Sequence, residues 1–192
     1  MSNEGAPPPL IVLSGPSGSG KTTVVSHLIA RHPHRLQQSL SCTTRPPRPE
    51  EQDGREYHFL SEEQFLTKKE GGEFLESAEV FGYQYGTLHS QLEDAKEKGC
   101  QLILVIDVQG GHQIRGRVPA LFIFLMPPSL EVLHRRLKGR NTEDLSALEE
   151  RIRASEEEKK AATWYDHHVV NDQLEATCSA IEKLLFISHK TH

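Results

Sequence analysis

The chain has 192 residues, a formal net charge of −5, 36% hydrophobic residues and 26% charged residues, which suits one soluble domain with a substantial core. The acidic balance argues against a protein that coats nucleic acid, and no apolar run approaches the roughly 18–20 residues that span a bilayer. The three cysteines are few and widely spaced, as in a reduced cytoplasmic protein, and residues 1–9 predict a disordered leader without signal-peptide features.

The first predicted element is an apolar strand over 10–13, which is followed by a glycine-rich loop and a helix over 22–32. The loop reads GPSGSGKT over 15–22 and fits the phosphate-binding pattern G-x-x-x-x-G-K-[ST]. In such a loop, backbone N–H groups close around phosphate oxygens, Lys21 brings a positive charge to the outer phosphates, and the Thr22 hydroxyl can ligate Mg²⁺. The helix N-terminus also attracts anions. The sequence therefore predicts a nucleotide site here.

Alternating β-like and α-like segments continue along the chain. In chain order they are a possible strand over 36–42, a loop over 43–54, a short strand over 57–60, a helix over 61–69, a hairpin-like stretch over 74–85 broken at Gly82, a helix over 88–98, strands over 102–106 and 121–125, a helix capped by Ser129, a charged helix over 142–163, a strand over 168–171 and a closing helix over 174–187. Ser61 and Gln64 form a capping box. The continuous apolar runs at 102–106 and 121–125 are typical of strands buried on both faces of a parallel sheet. The charged helix has little to bury, so we expect it to be exposed or mobile.

This order of elements predicts the fold class. Strands that alternate with helices after a phosphate loop indicate an α/β fold with a doubly wound parallel sheet of the P-loop kinase type. The predicted core comprises 10–35, 89–136 and 161–188. A β-rich insertion over 36–88 and a helical lid over 137–160 interrupt it.

Several short motifs narrow the substrate. They are SCTTRPPRPEE at 41–51, DGREYHF at 53–59, FLE at 74–76, YQYGT at 83–87 and IDVQGG at 106–111. Together with the phosphate loop, these motifs resemble those of the guanylate kinase family. The resemblance runs from the phosphate loop to Asn171-Asp172, which is nearly the whole chain. The resemblance implies one kinase domain over 10–192 that transfers a phosphoryl group from MgATP to GMP, and also to dGMP, in purine nucleotide metabolism and GMP recycling. It implies small-molecule substrates rather than nucleic acid or membrane, a cytoplasmic location, and leaves the oligomeric state open.

The resemblance also implies roles for individual residues. The residues expected to contact ATP are Gly15, Pro16, Ser17, Gly18, Ser19, Gly20, Lys21, Thr22, Thr23, Arg136, Arg140 and Asn171, with Thr22 as the metal ligand. Those expected to contact GMP are Ser41, Arg45, Arg48, Tyr57, Glu76, Tyr85, Thr87 and Asp107. Catalytic charges are expected from Lys21, Arg45, Arg140 and Arg151.

The chemistry of these residue types fits the implied roles. Arginine forks bind phosphate bidentately, and a carboxylate at Glu76 can accept from guanine N1–H and the 2-amino group, which adenine lacks. Asp107 follows an apolar strand, where α/β sheets place ligand residues. Cys42 lies within the first motif and is expected near bound GMP. Val105 stands where family members usually carry an acid, which implies that this chain holds the metal differently or more weakly.

Two other functions remain open on the sequence. A P-loop kinase for a phosphorylated sugar would keep the ATP half and change the acceptor pocket, but Glu76 and 85–87 favour GMP. A non-catalytic guanylate-kinase-like interaction module typically lacks a working phosphate loop, whereas this loop is intact. On residue type alone, Tyr57 and Tyr85 are equally suited to strand packing, and Arg45 and Arg48 to a solvated loop.

Overall fold

The computed structural model describes residues 9–80, 82–129, 131–133 and 156–186, which form two β-sheets with helices packed around them. The strands are β1 (Leu10–Ser14), β2 (Leu36–Gln38), β3 (Cys42–Thr43), β4 (His58–Phe59), β5 (Phe74–Val80), β6 (Tyr83–Leu88), β7 (Gln101–Val105), β8 (Ala120–Met126) and β9 (His167–Val170). The helices are α1 (Lys21–Arg31), α2 (Glu62–Glu70), α3 (His89–Glu97), α4 (Val108–Ile114) and α5 (Leu174–Phe186). Residues 131–133 and 156–161 are also helical. No helix in these described ranges is long and apolar enough to cross a membrane.

The core sheet is parallel and buried on both faces. Its strand order is β2-β7-β1-β8-β9, and every neighbouring pair is parallel. One face packs against α1 and α5, through Val24, Leu28, Ile181 and Leu185. The other face packs against α3 and α4. Helices on both faces of a parallel sheet confirm the predicted doubly wound fold, and ligands of such folds bind at the carboxyl ends of the strands.

A second sheet carries the β-rich insertion. Its order is β4-β3-β6-β5, and β5 and β6 form an antiparallel hairpin that turns at Gly82, as predicted. Helix α2 begins at the predicted capping box, in which Ser61 and Gln64 each satisfy a backbone N–H of the other. It buries Phe65 against Phe74, with ring centroids 4.5 Å apart. This small core, which also contains Cys42, holds α2 against the second sheet.

The single strand predicted over 36–42 is wrong, because the segment is divided between the two sheets. β2 pairs with β7, and the Ser39 N–H still donates to Ile103 in the core sheet. At Leu40 the ladder ends, because both backbone groups of Leu40 bond instead to the side-chain amide of Gln91, at 2.7 Å each. The chain then enters the second sheet at Cys42.

Helix α4 was not predicted from the sequence. Two adjacent glycines, Gly110 and Gly111, count against a helix there, but Asp107 caps its N-terminus by accepting the Gly110 N–H at 2.8 Å. Most of the charged helix predicted over 142–163 lies outside the described residues. Its described part is largely exposed, as expected, although Ala162 is fully buried.

Candidate functional site

The phosphate loop lies at the carboxyl end of β1, in the middle of the core sheet. Gly15, Gly18 and Gly20 have positive φ angles of 147°, 82° and 95°, which favour glycine. A Cβ at Gly15 would overlap the Leu125 carbonyl oxygen of β8. Glycine there lets the loop pack directly against the neighbouring strand.

Lys21 and Asn171 hold the loop from within. The Lys21 ammonium donates to the Gly15 carbonyl and, at 3.0 Å, to the Pro16 carbonyl. The Asn171 side-chain amide, which is 6% exposed, donates to the Ser19 carbonyl at 2.7 Å. The structure thus places Asn171 beneath the loop as a brace, and the adenine contact expected of it remains a prediction.

A cavity of about 370 Å³ extends from the loop toward the second sheet. The predicted site residues that line it are Gly15, Ser17, Lys21, Ser41, Arg48, Tyr57, Glu76, Tyr85 and Asp107. Thr22 lines an adjoining cavity of about 570 Å³, which shares Ser41, Tyr57 and Val105 with the first. The structure therefore brings residues expected to contact ATP and residues expected to contact GMP together around one connected space.

Glu76 stands at the far end of this cavity, on β5. Its side chain is only 4% exposed, and burial raises the pKa of the carboxyl to about 7. Thr87, its register partner on β6, lowers that pKa, whereas the Asp107 charge raises it further. Thr87 is fully buried and does not line the cavity. Its hydroxyl has no hydrogen-bond partner among the described residues, and the base contact expected of it remains a prediction.

Gly110 of α4 packs directly against Glu76. A Cβ at Gly110 would lie 2.7 Å from Oε2 of Glu76 and 3.2 Å from Cδ1 of Ile106. Gly110, one of the two glycines that count against a helix here, is therefore a steric requirement of the buried carboxylate.

The arginines of the first motif are organised by Glu51. One terminal nitrogen of Arg45 lies 2.8 Å from both carboxylate oxygens of Glu51, which also accepts the Arg48 backbone N–H at 2.9 Å. The Arg45 guanidinium lies 5.5 Å from the ring centre of Tyr57. Arg48 is exposed at the cavity wall. Glu51 was not predicted from the sequence, since one glutamate in a charged loop carries no signal of its own.

Tyr57 and Tyr85 form the wall beside these arginines. Their ring centroids are 5.9 Å apart in an edge-to-face arrangement, and burial raises the pKa of the Tyr57 hydroxyl. Both rings line the cavity. They therefore pack as strand residues while presenting a polar edge to the site.

A second group missed by sequence analysis joins β1 to α4. The Tyr165 hydroxyl donates to Ser14 Oγ at 2.6 Å, and Ser14 Oγ lies 3.4 Å from the Asp107 carbonyl. Ser14 and Tyr165 are both buried, and burial raises the pKa of the tyrosine. A Cβ at Gly111 would lie 2.6 Å from the Tyr165 hydroxyl. The Asp107 side chain lines the cavity from this junction.

Glu158 was also not anticipated. It comes from the helical residues 156–161 and lines the same cavity as Lys21 and Asp107. Burial raises the pKa of its carboxyl to about 7, with Lys21 lowering and Asp107 raising it. The predicted lid arginines Arg136, Arg140 and Arg151 lie outside the described residues.

The expectation that Cys42 lies near bound GMP is wrong. Its side chain is 1% exposed and packs with Phe65 and Phe74 in the small core beneath α2. Burial raises the pKa of the thiol to about 11. Alternation along β3 turns Cys42 away from the cavity, so a ligand there has no direct contact with its sulfur.

Among the described residues, no three histidine, cysteine or acidic side chains group closely enough to hold a metal ion. Among the described residues that line the two cavities, the oxygen groups near the loop include the hydroxyls of Ser17 and Thr22 and the carboxylates of Asp107 and Glu158. Such a set of hard oxygens suits Mg²⁺, which keeps several waters and takes phosphate oxygens as ligands.

Comparisons with known proteins agree on one family. The family model described as guanylate kinase matches residues 8–188. A guanylate kinase of Nostoc sp. is 44% identical over 178 residues, covering 92% of this chain and 89% of the relative. One from Gloeobacter violaceus is 46% identical, covering 92% and 86%. A crystal structure of guanylate kinase from Anaplasma phagocytophilum superposes with a TM-score of 0.77 at 34% identity, covering 97% of this chain and 90% of that one.

Proposed function

The chain belongs to the guanylate kinase family, and on this premise we propose that its central cavity is where ATP phosphorylates GMP to GDP. The main support for the proposal is the lining of the cavity, which has the phosphate loop at one end and the buried carboxylate of Glu76 at the other. A donor phosphate chain and a guanine base are the two ligands that this pair of ends suits. We include dGMP as an acceptor.

On the acceptor side, Glu76 is the guanine reader. Its carboxylate accepts from N1–H and the 2-amino group of guanine, and binding returns hydrogen-bond partners to a buried acid. Ser41 adds a hydroxyl at the cavity wall. Arg48 and the two tyrosine hydroxyls take the GMP phosphate. Arg45, held by Glu51, supplies a second guanidinium behind Tyr57.

On the donor side, the phosphate loop and the N-terminus of α1 bind the ATP phosphates. Lys21 leaves the carbonyls of its own loop and moves its ammonium to the outer phosphates. Thr22 is the metal ligand, and Mg²⁺, when bound with ATP, neutralises charge on the phosphate oxygens. Lid arginines Arg136, Arg140 and Arg151, together with Asn171, are proposed to complete this half.

The reaction needs position more than proton transfer. The attacking atom is a phosphate oxygen of GMP, which is mostly deprotonated near neutral pH, so no general base is assigned. Lys21 and the arginines oppose the negative charge that spreads over the transferring phosphoryl group. The acceptor phosphate is held in line by Arg45 and Arg48. Water is the competing nucleophile, so the cavity must close and exclude water before the phosphoryl group is transferred.

A cytoplasmic location fits the same activity. Cys42, Cys100 and Cys178 are all free thiols, as expected in a reducing compartment. The substrates are small nucleotides, so neither nucleic acid nor membrane is assigned as a partner.

The test is a coupled ADP-release assay with MgATP and a panel of acceptors: GMP, dGMP, AMP, UMP and CMP. GMP should give the highest kcat/KM, with dGMP next. A clear signal with AMP and none with GMP would overturn the proposal.

A further inference from the structure

Glu158 is the carboxylate that reaches the donor end of the cavity without belonging to any predicted motif. It lines the cavity together with Lys21 and Asp107, and it interacts electrostatically with both. One of its carboxylate oxygens, Oε2, is buried and has no hydrogen-bond partner within the described part of the chain. An acceptor oxygen buried without a hydrogen-bond donor destabilises the folded protein unless a bound ligand supplies the donor.

The backbone that carries Glu158 is firmly anchored. The helix that carries Glu158 ends at residue 161 and continues into a turn that holds Ala162 and leads to Tyr165. Ala162 is fully buried, and its N–H donates to the Glu158 carbonyl at 2.9 Å. Tyr165 is fixed to Ser14, the residue immediately before the phosphate loop. His168 Nε2 also lies 3.1 Å from the Ala162 carbonyl. These contacts set the register that brings Glu158 to the cavity.

The other two acids that line the cavity among the described residues have different neighbours. Asp107 uses Oδ1 to cap α4, at 2.8 Å from the Gly110 nitrogen. Glu76 lies against Thr87 and Gly110 at the acceptor end. At the wall shared with the Thr22 cavity, the side chain of Val105 offers no oxygen. Among the described residues, Glu158 is thus an acid beside Lys21 whose buried Oε2 has no hydrogen-bond donor.

We propose that Glu158 is a positioning residue of the donor site, whose carboxylate accepts hydrogen bonds from water bound to the metal–nucleotide complex. The inference rests on the proposed function and deepens it. Mg²⁺ keeps several waters when it binds a nucleotide, and carboxylates that hold such waters orient the ion and strengthen its binding. Glu158 thereby favours the metal-bound nucleotide over the bare one, whose negative charge it repels.

The experiment measures ADP binding by titration calorimetry in the presence of Mg²⁺ and in EDTA, for wild type and Glu158→Gln. The ratio of the two affinities is the magnesium enhancement. In Glu158→Gln this enhancement should fall by about tenfold, the lower end of losses seen when such partners of metal sites are removed. Affinity for metal-free ADP should stay the same or rise, because one negative charge beside the phosphates is lost.

Two further variants sharpen the comparison. Glu157→Gln makes the same charge change one residue away, on a side chain that is 71% exposed and paired with Lys160 at 2.8 Å, so its enhancement should equal that of wild type. Glu158→Asp keeps the charge on a shorter side chain and should recover part of the enhancement.

An enhancement in Glu158→Gln within twofold of wild type would overturn the inference. So would an equal weakening of both forms of ADP, which would indicate a general structural role. Failure of the proposed function is distinguishable, because it appears in wild type as an acceptor panel that does not select GMP.

Discussion

Replacing Gly110 with alanine tests whether close packing against α4 holds the Glu76 carboxylate in position to bind guanine. A Cβ at this position would lie 2.7 Å from Oε2 of Glu76, and real Cβ contacts below 3.0 Å are essentially absent. The carboxylate must therefore retreat by a few tenths of an ångström. Glu76 is only 4% exposed, so the movement displaces the oxygens that are proposed to read guanine.

The cost should appear in binding rather than in folding. Alanine favours a helix over glycine by about 0.5–1 kcal/mol, which offsets part of the local strain in α4. Weakening one charge-assisted hydrogen bond to guanine costs about 1.5 kcal/mol, or roughly a tenfold increase in the KM for GMP. The KM for ATP should change by less than about twofold, since the phosphate loop is untouched.

The assay is steady-state ADP release with GMP and ATP varied separately, together with thermal unfolding of each variant. Gly71→Ala is the matched control: it makes the same change at the end of α2, where φ is −71° and the nearest atom is the Thr67 carbonyl at 3.2 Å. A Gly110→Ala enzyme with normal KM for GMP and normal stability would refute the reasoning, because Glu76 would then tolerate displacement without losing guanine.

Three other predictions concern charges. Glu76 has a pKa raised from 4.5 to about 7, so its contribution to the free energy of unfolding without substrate should decline as pH rises between these values. KM for GMP should fall over the upper part of that range, and Glu76→Gln should remove both trends and weaken selectivity for GMP. Lys21→Ala should lower kcat by orders of magnitude with normal thermal unfolding; near-normal turnover would exclude its assigned role. Glu51→Gln loosens Arg45 and should raise KM for GMP by about tenfold, with KM for ATP unchanged; equal effects on both substrates would contradict a local role.

The elements that could be predicted from the sequence are those whose signal is local. The phosphate loop, the capping box at Ser61 and the turn at Gly82 each depend on residues within a few positions of one another. The apolar runs of β7 and β8 follow from burial on both faces, which needs no knowledge of the partner. The parallel direction of the core strands followed from the predicted fold class, whereas their order was not predicted.

The elements that were missed depend on distant partners. Helix α4 contains adjacent glycines because Gly110 meets Glu76 of β5 and Gly111 meets the Tyr165 hydroxyl, and neither contact is visible in the local sequence. The strand over 36–42 was divided because Gln91, about fifty residues away, replaces the sheet as partner of Leu40. Propensity favours the wrong structure in both places because tertiary contacts outweigh it.

The two raised carboxyl pKa values have a common physical origin that connects stability with function. Glu76 and Glu158 stand at opposite ends of one cavity, and burial is the main cause of the shift in each. A charged acid in such a place destabilises the folded protein while it lacks donors. Guanine N–H groups at one end, and metal-bound water at the other, are the donors that the proposed substrates bring. The empty cavity therefore costs folding free energy above pH 7, and binding of the correct ligands recovers it, so stabilisation by GMP should increase with pH whereas stabilisation of Glu76→Gln should not.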